Sequence, residues 1–246
     1  MKDILIIPDV HEQVDKLAKI LDDFKKYPKI FLGDFFDKFG PRNTKEIAIL
    51  LKTSILHDPK NTVLFGNHDL QYAFPENTAL KCSGFNFSSE SQILSILRKG
   101  DWDKMKFIHW INDTWVCTHA GIHPYFLNAV TGIEYLKDPE KNNEWRNDLH
   151  AGICPAILRA GHARGGFQRY GGITWLDWNR EFEPIRGTNQ IVGHTISDSV
   201  KTNILNNEFD EVESFNINLD TRLKNVILFH KSEIPTDDGT YEVLEV

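Results

Sequence analysis

Cysteine and methionine are scarce in this chain: three and two among 246 residues. Cys82, Cys117 and Cys154 are odd in number and widely spaced, which makes neither a disulfide framework nor a zinc pattern and points to a reducing compartment. No apolar run is long enough to span a bilayer. Met1-Lys2-Asp3 passes directly into a short strand-like run, without a signal-peptide h-region and its small-residue cleavage site. A cytoplasmic protein with no membrane partner is expected. Basic clusters are also lacking. The formal charge is −7, which argues against a non-specific nucleic-acid coat. An anionic substrate would then need metal ions to supply positive charge. No Pro/Gly/Ser-rich linker, repeat or low-complexity tract divides the chain, so one domain over residues 1–246 is expected. What is there is ordinary globular material, 41% hydrophobic and 26% charged.

The apolar pattern has two periods. Ile4-Leu5-Ile6-Ile7, Lys29-Ile30-Phe31-Leu32 and Thr62-Val63-Leu64-Phe65 read as buried strands. Between them, Val14, Leu17, Ile20, Leu21 and Phe24 recur at close to helical spacing, and Ile47, Leu50, Leu51 and Ile55 form a second apolar helical face. Strand, helix, strand, helix, strand implies a parallel sheet with crossover helices, hence an α/β fold. Residues 70–110 are less regular, with loop over 84–87 and a short helix over 91–99; residues 124–165 carry only weak helical signals. Trp115–Thr118 and Gln190–Val192 read as further strands, as do the runs at 215–219, 226–229 and 241–244. Two β layers are expected.

Polar groups stand where five of these strands end. They are Asp9 and His11, Asp34 and Asp37, Asn67 and His68, His119, and His194. Gly33, Gly66 and Gly193 each follow a strand directly. The carboxyl ends of the strands are where ligands collect in open α/β sheets. Taken singly, each residue has a plainer use: Asp34 as a helix cap, Asn67 in a turn, His119 or His194 as a core histidine. Their joint placement after successive strands is what chance does not supply. Carboxylate, imidazole and amide oxygen suit Mn, Fe, Zn or Mg. The set is too large for one tetrahedral ion and suits two ions roughly 3.5–4 Å apart, the arrangement used in phosphoester chemistry.

Asp9-Val10-His11, Gly33-Asp34-Phe35-Phe36-Asp37, Gly66-Asn67-His68-Asp69, His119-Ala120-Gly121 and Gly193-His194-Thr195 together resemble the calcineurin-like metallophosphoesterase superfamily. The likeness is to its phosphoprotein phosphatase branch and that branch's bacterial, phage and diadenosine-tetraphosphate-hydrolase relatives. It covers roughly residues 4–220, with Asn218-Leu219-Asp220-Thr221 similar to a late strand motif. The resemblance implies a four-layer αββα sandwich of two mixed sheets flanked by helices. It implies two divalent ions, Mn foremost, with Fe, Zn, Ni or Mg as alternatives. Asp9 and His11 would bind the first, Asn67, His119 and His194 the second, and Asp34 both. His68 would be the general acid and Asp37 its orienting partner. A second histidine that some branches carry two residues after the His194 position is Ile196 here.

The sequence also departs from the resemblance. Protein phosphatases follow the Asp37 position with a phosphate-gripping arginine, and here it is Lys38, which keeps the charge but loses the planar fork. The grip then falls to Arg42, or to Arg164 and Arg169 in the glycine-rich loop before His194. Asp69 stands where glutamate is usual, a mild change. Trp175 and Trp178 have two open uses, a stacking surface for a nucleobase or groove and a packed pair. Two cations that acidify a shared water toward pKa of about 7 make in-line attack on phosphorus available at neutral pH. The expected function is hydrolysis of a phosphomonoester, on a phosphorylated protein or a small molecule, in the manner of the serine/threonine protein phosphatases. A phosphodiesterase or nucleotide hydrolase acting on diadenosine polyphosphates or cyclic nucleotides is the alternative. A catalytically dead scaffold is disfavoured because every inferred ligand is chemically competent.

Overall fold

Strand β1, Ile4–Ile7, shows how the period-two pattern is used. Ile4 and Ile6 point into one apolar cluster, while Leu5 and Ile7 point into another. The first cluster also takes Ile30, Ile191, Ile217, Ile227 and Phe229, so it is the core between two sheets. The second takes Leu17, Ile20, Ile47 and Leu51 from the helices outside. β1 is thus buried on both faces, which is why it reads as a continuous apolar run rather than an alternating one. The computed structural model describes residues 3–38, 40–230 and 239–246.

The first sheet has the order β10-β9-β1-β2-β3, where β2 is Lys29–Phe31, β3 Thr62–Val63, β9 Asn225–His230 and β10 Thr240–Glu245. β1, β2 and β3 are parallel, and β9 and β10 are antiparallel additions. The crossovers run through α1, Val14–Asp23, and α2, Thr44–Leu50, which continues as a π-helical turn over Leu51–Ile55. The second sheet has the order β4-β5-β6-β8-β7, where β4 is Ile108–Trp110, β5 Trp115–Thr118, β6 Asn189–Val192, β7 Lys201–Asn206 and β8 Val212–Asn218. β5, β6 and β8 are parallel, with β4 and β7 antiparallel at the edges. Two mixed five-stranded sheets flanked by helices form the expected αββα layers.

Where periodicity was weak, the structure adds elements. Asn67–Ala73 is a helix, α3, that starts directly after Gly66. Helix α4 spans Phe87–Ile96 rather than 91–99, because Asn86 caps it by accepting from the Ser89 N–H at 2.7 Å. Two helices in regions that showed little signal are α5, Lys99–Trp102, and α6, Glu140–His150, whose apolar contacts are few and include buried Trp145 and Leu149. Edge strands β4 and β7 were also not apparent. β7 is exposed at four of six positions and so carries no apolar run.

Two glycines let the strand ends meet. Gly33 has φ +104°, and a Cβ there would lie 2.3 Å from the Gly66 nitrogen. A Cβ on Gly66 would fall 2.0 Å from Asp34 Oδ1. Gly66→Ala should therefore displace Asp34 and cost about 1–3 kcal/mol, the range for overpacking. Gly100→Ala, with open space around its Cβ, should not destabilise. Urea melts of the two variants check this, and equal stabilities would refute it.

Candidate active site

The carboxyl ends of β1, β2, β3, β5 and β6 bring Asp9, His11, Asp34, Asn67, His119 and His194 together. One donor atom from each of Asp9, His11 and Asp34 lies within 4.8 Å of the others, and the same holds for Asp34, His119 and His194. Asp34 belongs to both groups. Asn67 Oδ1 stands 3.2 Å from His119 Nε2, which adds it to the second. Among the described residues eight non-glycine positions have positive φ, and four are His11, Asp34, Asp37 and His194. Such backbone concentrates at functional sites because surrounding contacts must hold it there.

Hydrogen bonds settle which atoms face inward. His11 Nδ1 lies 2.9 Å from the Phe36 carbonyl and His119 Nδ1 2.8 Å from the Leu32 carbonyl. A carbonyl only accepts, so each Nδ1 carries a proton and each Nε2 presents a lone pair in the neutral ring. His119 Nε2 then faces Asp34 Oδ2 at 3.3 Å, Asn67 Oδ1 at 3.2 Å and His194 Nδ1 at 3.2 Å. Acceptors turned on one another at that distance need a proton or a cation between them. Without a cation, burial opposes charge on His119, but the Asp34 and Asp9 carboxylates outweigh it and raise its pKa to about 9. Burial, followed by the charges of His119 and Arg164, pushes His194 well below its usual value. Asp34 is buried, yet His119 and His68 hold its carboxyl far below the usual range. This donor set of oxygens and imidazole nitrogens fits a pair of divalent cations sharing Asp34.

Around this centre the backbone is tied to the carboxylates. The His194 N–H donates to both oxygens of Asp9, at 3.0 and 3.1 Å, and the His68 N–H donates to Asp34 Oδ1 at 2.9 Å. Asp69 accepts from the backbone N–H groups of Asp34, Phe35 and Gly66 at 2.8–2.9 Å. Burial and the Asp34 charge push its carboxyl up to about 7 against those three donors. Asp69 is therefore a strut between two strand ends, more than the mild variation expected of it.

His68 Nδ1 lies 3.0 Å from Asp37 Oδ2. Burial disfavours charge on His68, but Asp34 and the bond to Asp37 raise its pKa well above the usual value. Asp37 also accepts from Gln71 Nε2 and from Tyr72 Oη. His68, Gln71 and Tyr72 are spaced i, i+3, i+4 on α3, so one helix face serves one carboxylate. That spacing was the available signal for Gln71 and Tyr72. It was missed because the residues after Gly66 carry too short an apolar period to announce a helix start.

The four basic candidates separate in the fold. Arg42 donates to Asp37 Oδ1 at 3.1 Å, Ser89 Oγ at 3.0 Å and the Gly84 carbonyl at 2.8 Å, so its guanidinium supports Asp37. Arg164 pairs with Asp177 at 2.9 Å and donates to Thr195 Oγ1 at 2.9 Å, which sets it beside His194. Arg169 is exposed, 5.0 Å over the Tyr170 ring, which itself stacks on His123. Lys38 lines a cavity of about 330 Å³ with His11, Asp37 and Asp220. Trp175 stands edge-on to His194 at 5.7 Å and lines a larger cleft of about 760 Å³, which Cys82, Arg159, Arg164 and Phe167 also border. Trp178 packs on Phe182 instead.

In protein freed of metal, His119 has a folded pKa above its unfolded value near 6.5. Its contribution to stability is present below pH 6.5 and is lost as pH rises through about 9. The melting temperature in chelator should therefore fall between pH 7 and 9.5. The fall should shrink in His119→Asn, where His68 keeps its raised pKa, and should vanish in excess Mn²⁺. A flat profile for the chelated wild type would contradict the arrangement.

Other proteins share this fold. A cold-active protein-tyrosine phosphatase from a psychrophilic Shewanella species is similar in structure, with a TM-score of 0.55 and 18% identity, over 100% of this chain and 81% of that one. A protein serine/threonine phosphatase from Saccharomyces cerevisiae gives 0.53 and 15%, over 100% and 80%. At these identities the likeness speaks for the fold. The sequence model described as calcineurin-like phosphoesterase matches residues 2–198, a span that contains every metal-ligand candidate, and the chain belongs to that family of phosphoric ester hydrolases.

Proposed function

We propose that the protein is a dinuclear metal-dependent phosphomonoesterase of the serine/threonine protein phosphatase type. The observation that carries this is the sharing of Asp34 by two donor groups, beside a histidine whose Nδ1 is held by Asp37. Asp9, His11 and Asp34 would hold one cation, and Asp34, Asn67, His119 and His194 the other. When bound, two divalent ions such as Mn²⁺ acidify a water and offset charge on the phosphoryl oxygens. The residues supply the rest. With Nδ1 directed to Asp37, His68 offers Nε2 to the leaving oxygen, and Gln71, Tyr72 and Arg42 keep the Asp37 carboxylate in place. Arg164, fixed beside His194, is the basic group best placed to orient the phosphoryl group, with Lys38 flanking His11. The open cleft along Lys81–Ser83 and the glycine-rich loop suits a phosphorylated side chain on an extended peptide. Three free thiols fit a reducing compartment such as the cytoplasm. Among the described residues no helix is long and apolar enough to cross a membrane.

A second reading has its own support. Trp175 beside His194 and the fully exposed Phe167 offer aromatic faces in the same cleft, as a nucleobase would need. Hydrolysis of a phosphopeptide, an aryl monoester, an aryl diester and diadenosine tetraphosphate with Mn²⁺ separates the two. The monoesterase reading expects the first two to be preferred, and it falls if the diester or the dinucleotide is preferred.

His68→Asn should keep its metal and lose about 10²–10⁴-fold in kcat on an alkyl phosphate. The loss should be smaller on nitrophenyl phosphate, whose leaving group needs little protonation. Equal losses on both would remove His68 from proton transfer. Arg164→Ala should cost about 1.5–3 kcal/mol in kcat/KM for monoesters and less for diesters. Paired assays that show no such difference would release Arg164 from the phosphate grip.

A further inference from the structure

Asp220 is a buried carboxylate to which neither the sequence reading nor the site geometry assigns a role. It lies just past β8, which runs parallel to β6 with Val192 opposite Asn218. Gly193 and His194 follow β6, so the two strand ends open on the same edge of the sheet. Asp220 is 1% exposed. Its Oδ1 accepts from the Arg222 N–H at 3.1 Å, while Oδ2 is buried without a hydrogen-bond partner. A buried carboxylate oxygen left unpaired is costly unless something neutralises it.

The surroundings do not supply that compensation. The Arg222 guanidinium turns outward to Asp198 at 3.7 Å, and no ion pair joins Lys38 to Asp220 among the described residues. Asp220 instead feels the charges of His11, Asp34 and His119, and its own charge acts on Asp9. Asp9 and Asp34 lie 3.9 and 3.7 Å from His11 Nε2. Asp220 lines the cavity of about 330 Å³ that reaches His11, which leaves room for water.

We propose that Asp220 completes the shell of the divalent cation held by Asp9, His11 and Asp34, its free Oδ2 accepting a hydrogen bond from a water on that ion. This rests on the two-cation reading above. It makes Asp220 a positioning residue whose effect is on the affinity of one of the two ions.

Calorimetric titration of the metal-free protein with Mn²⁺ tests it. Wild type should take two ions. In Asp220→Asn one ion should bind about 10–100-fold more weakly, the usual effect of removing an outer-shell partner, and the other should be unchanged. In an Asn67→Ala background, which weakens the second site, Asp220→Asn should weaken the remaining tight ion. Metal-free Asp220→Asn should melt at or above the wild-type temperature, since one of three like charges is gone. Asp220→Ser gives the same readouts if the asparagine variant does not fold. Two ions bound by Asp220→Asn with wild-type affinities would overturn the role of Asp220 alone. Fewer than two ions bound by wild type would overturn the two-cation reading itself.

Discussion

The Asp69 carboxylate holds the ends of β2 and β3 together. Three backbone N–H groups, from Asp34, Phe35 and Gly66, converge on its two oxygens. Those donors lie at chain turns where no strand or helix partner is available, and burial makes their pairing obligatory. Asp34 sits there at positive φ, with its side chain against Gly66. From that position its carboxylate reaches both donor groups and also accepts the His68 N–H at the first turn of α3. Displacement of Asp69 would therefore loosen the centre of the site and the first turn of α3 together.

The centre itself is built around an unbalanced charge. Several oxygens and bare imidazole nitrogens face one another with few protons to share, and the carboxylates of Asp9, Asp34 and Asp220 interact repulsively. In the absence of metal the protein answers by holding protons on His119 and His68. A pair of dications would take their place and invert that logic, releasing protons as it binds. An acidic protein can in this way present a positive site to a phosphate.

Asp37 plays the corresponding part beside the centre. It gathers His68, Gln71, Tyr72 and Arg42 on two oxygens with almost no exposure to solvent. An imidazole bonded to such an anchored carboxylate has one tautomer and one orientation. Arg42 is drawn into this network and Arg164 is left beside His194, so two arginines that look alike in sequence divide between supporting a carboxylate and facing the cleft.

The amino-acid sequence by itself determined the parts that depend on local period. Apolar runs at 4–7, 29–32 and 62–65 are buried on both faces wherever the chain places them, and polar groups directly after them must fall at strand ends. The six metal-ligand candidates and His68 were legible for that reason, as was the α/β class. Helix α6 and edge strand β7 were not, because their apolar contacts are too few to impose a period. Only the tertiary structure decided where each basic candidate lies, that Asp69 is a strut, and that Asp220 lies near Asp9. Those outcomes depend on strand order and register. The His194 N–H meets Asp9 across 185 residues of chain only because Gly193 passes against the Asp9 carboxylate at the end of β1. No local pattern encodes a contact of that range. It follows from how two sheets pack over a shared core and align their carboxyl edges.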